Sequence, residues 1–98
     1  AYAASKAGLV NLTKSLAIGW AVQNVRVNAI APGWIETKLT SGLAEREPER
    51  YQTIIERTPM KRWGRPQEVG DAALFLCSPQ ATFITGHTLI VDGGYAAA

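Results

Sequence analysis

Two short runs rich in branched apolar residues, Val25–Ile30 and Thr88–Val91, read as strands, and helical sequence separates them. Strands divided by helices pair in parallel, because parallel pairing needs a crossover connection of about a dozen residues or more. The expected fold class is therefore α/β. Two strands do not make a sheet that can bury several helices, since parallel sheets need further neighbours and cover on both faces. Residues 1–98 are thus expected to be the C-terminal portion of a larger α/β domain. The opening Ala1-Tyr2, with neither methionine nor a capping sequence, reads as a start inside an element.

Composition narrows the class of partner. The chain has 98 residues, 47% hydrophobic and 18% charged, an ordinary balance for a globular protein. Ten Lys and Arg face eight Asp and Glu without a basic run, so neither nucleic acid nor a membrane surface is an expected partner. The single cysteine, Cys77, excludes an internal disulfide framework and a multi-cysteine metal site, and no metal is expected. No apolar run approaches the roughly 20 residues of a membrane span. A cytoplasmic protein is the default expectation.

Between and around the strands the periodicity is helical. Tyr2–Val22 has no interior proline, and Leu9, Leu12, Leu16 and Trp20 form one apolar stripe. Ala3, Ala7, Val10, Ala17 and Ala21 form a second stripe made mostly of small residues, which predicts a helix buried on two sides and open to a second helix. The first strand leads into Ala31-Pro32-Gly33. Residues 34–64 read as a polar excursion over the surface. Within it Thr37 is placed to cap a short helix ending near Ala44, and Pro48 to open another that carries Tyr51, Ile54 and Ile55. Pro66 opens a helix with the core stripe Val69, Ala72, Ala73 and Leu76, closed by Ser78-Pro79.

Tyr2 and Lys6 are four apart on a predicted helix, hence on one face. A phenol of pKa about 10 is a weak base at neutral pH; working there needs a shift of roughly three units, or about 4 kcal/mol. A nearby ammonium favours the phenolate and supplies part of that shift. By spacing alone, such a pair more often decorates a solvated face.

The surrounding order of motifs is more specific. Tyr2-Ala3-Ala4-Ser5-Lys6-Ala7-Gly8, Arg26-Val27-Asn28-Ala29-Ile30-Ala31-Pro32-Gly33, Gly64-Arg65-Pro66, Thr85-Gly86-His87 and Val91-Asp92-Gly93-Gly94 follow one another. As an ordered set they resemble the C-terminal part of the short-chain dehydrogenase/reductase family, over essentially the whole chain. The resemblance implies a doubly wound, Rossmann-type sheet and an oxidoreductase using NAD or NADP. It implies Tyr2 as the general acid/base and Lys6 as the group that lowers its pKa and binds the nicotinamide ribose. Pro32, Gly33, Ile35 and Thr37 match the stretch along the nicotinamide half of the cofactor, Ile35 through its backbone and Thr37 through its hydroxyl.

The implied reaction is hydride transfer between nicotinamide and a secondary alcohol or ketone, with a sugar, sugar acid or 3-oxoacyl thioester as substrate. The family's Gly-rich dinucleotide loop and catalytic serine have no counterpart in these residues, so the 98 residues alone are expected to be inactive. The alternative is a non-catalytic fragment that serves as an assembly module. The resemblance also implies a homo-oligomer, a tetramer or dimer, with Ala3, Ala7, Val10 and Ala17 near a helix–helix contact.

The remaining residues have plainer expected roles. His87 reads as a surface or hydrogen-bonded residue, Cys77 as a small buried hydrophobe, Trp20 and Trp63 as packing residues and Asn28 as a partner for backbone groups. Trp34 either lines a pocket or packs. Asp92-Gly93-Gly94 reads as a strand-end turn, and the charges of residues 45–50 as a solvated helical surface.

Overall fold

The computed structural model describes residues 2–98, Tyr2 by its backbone alone. In chain order it contains α1 (Tyr2–Trp20), β1 (Ala29–Pro32), α2 (Leu43–Arg46), α3 (Pro48–Arg57), α4 (Pro66–Leu76) and β2 (Thr88–Val91). Single 3-10 turns lie at Ala21–Gln23, Pro79–Ala81 and Tyr95–Ala97. The strands are paired neighbours. The Ala29 amide donates to the His87 carbonyl and the Gly33 amide to that of Val91, each at 2.9 Å. The offset between partners is the same in both bonds, which is the register of a parallel pair. Among the described residues no helix is long and apolar enough to cross a membrane.

The chain divides into two compact units, residues 1–30 with 72–89 and residues 31–71 with 90–98. In the first, α1 buries Thr13 and Ala17, and the Thr13 hydroxyl donates to the Leu9 carbonyl at 2.8 Å. A β-carbon on Gly86 would meet that of Ala17 at 3.4 Å. Burial on two sides is not observed. Leu9, Leu12 and Trp20 are 53%, 54% and 43% exposed, and Ala3, Ala7 and Ala21 are exposed as well.

β1 begins four residues later than its sequence suggests. Residues 25–28 alternate apolar and polar side chains as a strand would, but side chains supply most of the bonds that hold them, beside one from the Gly86 amide to the Val27 carbonyl at 2.7 Å. Arg26 donates to the carbonyls of Leu76 at 2.7 Å and Ile84 at 3.2 Å, and the Val27 amide donates to the Thr85 hydroxyl. Asn28 donates through Nδ2 to the Ile84 carbonyl and accepts from the His87 amide, both at 3.0 Å, the role expected of it. The regular ladder starts at Ala29. Cys77 is exposed rather than buried: Leu76 turns inward, and the next residue is rotated about 100° round the helix axis.

In the second unit residues 34–64 build a core of their own instead of a polar excursion. Leu43, Ile54 and Trp63 are buried together, with Tyr51 and Ile55 packed against them. Trp63 stacks on Tyr51 with ring centroids 5.2 Å apart. Pro48 and Pro66 each stand first in their helices, where a missing N–H costs nothing. The short helix lies at Leu43–Arg46, outside Thr37's reach as a cap; Thr37 instead opens the turn before it, its carbonyl accepting from the amides of Thr40 and Ser41. The charged stretch 45–50 is exposed, as expected.

Candidate functional site

β1 ends at Pro32, and the chain leaves the sheet through Gly33. In open α/β sheets ligands sit beyond the carboxyl ends of strands, so residues 32–37 occupy the position where a site belongs. Gly33 is required there by space. A β-carbon would stand 2.6 Å from Asp92 Cβ and 2.8 Å from Asp92 Cα. Asp92 in turn accepts from the amides of Gly94 and Ala96, each at 2.9 Å, and so organises the turn after β2.

Ile35 makes an isolated parallel bridge to Gly64. The bonds are made by its neighbours: the Glu36 amide donates to the Gly64 carbonyl, and the Gly64 amide to the Trp34 carbonyl, both at 2.9 Å. In a parallel bridge this turns the amide and carbonyl of Ile35 to the opposite side. Among the described residues the Ile35 amide has no hydrogen-bond acceptor. A β-carbon on Gly64 would lie 2.6 Å from Ile35 Cδ1, the tip of a side chain that would have to turn aside.

Thr37 is exposed, its hydroxyl 3.5 Å from that of Thr40, while the Thr37 amide donates to the Thr40 hydroxyl at 2.7 Å. Thr40 was not singled out in the sequence; a second hydroxyl three residues after Thr37 is the signal that marks it. Glu36, between the two candidate residues, accepts from the Tyr51 hydroxyl at 2.6 Å. That bond to a carboxylate is the main reason the Tyr51 pKa lies above its ordinary value of 10.0.

A cleft of about 290 Å³ lies in the same unit, lined by Trp34, Ile35, Met60, Arg62, Gly64, Glu68 and the turn after β2. Trp34 does both things expected of it. It lines this cleft and makes edge contacts with Trp63 at 5.9 Å and Tyr95 at 6.4 Å. Arg62 grips Glu68 with two bonds of 2.8 Å, and Glu68 Oε1 also accepts from the Arg65 amide at 2.9 Å. The Arg62 hydrogen bonds, followed by that of the Arg65 amide, hold the Glu68 carboxyl down to a pKa of about 2. Their sequence signal is a glutamate at the third position of a helix opened by proline, the acidic half of a capping box.

Of the remaining candidates, Lys6 is exposed on α1 in the first unit. Tyr2 lies in α1 by its backbone, and its side chain is outside the described residues. Among the described residues no three His, Cys, Asp or Glu side chains converge as metal ligands would.

Residues 1–96 match the family model described as enoyl-(acyl carrier protein) reductase. Over 94 residues the chain is 51% identical to galactitol 2-dehydrogenase (L-tagatose-forming) of Cereibacter sphaeroides, covering 96% of this chain and 37% of that one. It is 46% identical over 93 residues to a 3-oxoacyl-[acyl-carrier-protein] reductase of Thermotoga maritima, covering 95% and 37%. A crystal structure from Agrobacterium tumefaciens with bound NADP, provisionally assigned as a 2-deoxy-D-gluconate 3-dehydrogenase, superposes with a TM-score of 0.91. There the identity is 45%, over 99% of this chain and 39% of that one. The chain thus spans less than two-fifths of the length of each relative. The fold is that of the doubly wound parallel-sheet, Rossmann-type proteins. With its Pro-Gly exit from a parallel strand and this likeness running through nearly every residue, the chain belongs to the short-chain dehydrogenase/reductase family.

Proposed function

We propose that residues 1–98 are the C-terminal portion of an NAD- or NADP-dependent oxidoreductase that interconverts a secondary alcohol and its ketone. The observation that carries this reading is the Ile35 amide, turned away from the Gly64 pairing beyond the carboxyl end of β1. A carboxamide needs both a donor and an acceptor opposite it. The Ile35 amide and the exposed Thr37 hydroxyl supply that combination, so the residues present fit a nicotinamide. Bound NADP in the Agrobacterium structure supports the cofactor class. The names of the relatives support a sugar, sugar acid or 3-oxoacyl substrate.

The cofactor, when bound, supplies or accepts the hydride. Pro32 and Gly33 set the exit of the chain from β1, Ile35 holds the carboxamide through its backbone, and Thr37 holds it through its hydroxyl. Lys6 holds the ribose hydroxyls, and its ammonium favours the ionised form of the Tyr2 phenol. Tyr2 gives a proton to the substrate oxygen in reduction and takes it back in oxidation. We assign the enzyme to the cytoplasm and to a homo-oligomer, a dimer or tetramer.

The test is Tyr2→Phe in the whole enzyme. Removing the transferable proton lowers turnover by roughly 100- to 10,000-fold while cofactor affinity stays unchanged. Lys6→Ala lowers turnover and also weakens cofactor binding. Near-normal ketone reduction by Tyr2→Phe would overturn the assignment.

A further inference from the structure

We propose that Arg62 and Glu68 are positioning residues for the nicotinamide, acting through Gly64 on the backbone of Ile35. The inference rests on the reading that Ile35 and Thr37 hold the carboxamide. The two side chains close a loop of seven residues with a bidentate contact, both bonds 2.8 Å. Glu68 fastens that loop a second time by accepting from the Arg65 amide at 2.9 Å. Arg62 Nη1 also donates to the Trp63 carbonyl at 3.1 Å, while Trp63 is 5% exposed in the core of the unit. The peptide between Trp63 and Arg65 is therefore held from both sides.

That peptide carries Gly64, which donates to Trp34 and accepts from Glu36 and so decides which way Ile35 faces. As an ion pair the clasp adds only modestly to stability. Its side chains are 43% and 31% exposed, and an ion pair in that setting contributes little to stability. A bidentate guanidinium–carboxylate contact fixes orientation as well as distance. Orientation is what a carboxamide contact made by one backbone amide needs.

Two variants of the whole enzyme test this, with Thr37→Val alongside. Glu68→Gln keeps the shape of the side chain and removes its charge. Arg62→Lys keeps the charge and removes the fork. The nicotinamide dissociation constant is titrated by NADH or NADPH fluorescence, kcat is measured at saturating cofactor, and thermal unfolding is followed separately. Glu68→Gln is expected to raise the dissociation constant about fivefold, the equivalent of one misplaced neutral hydrogen bond, with the loss in cofactor KM and not in kcat. Arg62→Lys should shift it the same way by less. A lower melting temperature with unchanged cofactor affinity in both would make the clasp a stabilising contact and overturn the proposal. If Thr37→Val weakens binding and the clasp variants do not, the proposal alone falls. If Thr37→Val leaves affinity unchanged, the reading of residues 35–37 falls, and the proposal with it.

Discussion

Gly33 and Asp92 touch backbone to backbone where the two parallel strands end: a β-carbon on Gly33 would stand 2.8 Å from Asp92 Cα. Both are held in place, the Gly33 amide by the Val91 carbonyl and Asp92 by the turn that follows it, whose amides its carboxylate and its carbonyl accept. Gly33→Ala is therefore expected to destabilise the protein by about 1–3 kcal/mol, the usual range for forcing an extra carbon into a filled space. Denaturant unfolding checks this. An unchanged midpoint would show that the strand ends can separate.

Trp63 closes the core of the second unit, stacked on Tyr51 and edge-on to Trp34. Trp63→Ala should cost about 3–5 kcal/mol, as expected for emptying an aromatic site. Trp63→Phe should cost less, because most of the ring area stays. Equal losses for the two would place the effect outside the ring stack. Equilibrium unfolding of both variants gives the comparison.

The Glu68 carboxyl titrates near pH 2, below its ordinary value of 4.5, because Arg62 and the Arg65 amide bind the charged form. A carboxylate whose pKa is depressed by folding contributes stability that is present above pH 4.5 and lost as the pH falls toward 2. The melting temperature of Glu68→Gln should therefore lie slightly below that of the parent at pH 6 and converge with it as the pH falls through about 2. A gap that stays constant with pH would contradict this.

Thr37 is exposed, and its hydroxyl is 3.5 Å from that of Thr40. If it holds the carboxamide, Thr37→Val weakens cofactor binding by about 1 kcal/mol, one neutral hydrogen bond. Thr37→Ser keeps the hydroxyl and should bind as the parent does. Fluorescence titration of both separates loss of the hydroxyl from loss of the methyl group.

What the sequence by itself determined is local. Pro48 and Pro66 mark helix starts because proline is tolerated in the first turn of a helix and not in its interior, and the structure opens both helices there. Thr88–Val91 is a strand of four branched or apolar residues with clear bounds, and it is observed with those bounds. The order of motifs from Tyr2 to Gly94 identified the family, because five weak signals in one order are jointly specific. The tertiary structure decided what depends on partners distant in sequence. Residues 25–28 have strand propensity, yet Thr85 takes the Val27 amide and the side chain of Asn28 takes the Ile84 carbonyl and the His87 amide, leaving one backbone bond, from Gly86 to Val27, where a ladder would have several. The core formed by Leu43, Ile54 and Trp63 is scattered across a stretch broken by prolines, where no single period brings the three together. The Ile35 amide faces outward because Gly64, 29 residues away, pairs with its neighbours. A hydrogen bond between such residues has no local signature, since its geometry exists only once the chain has closed the loop between them.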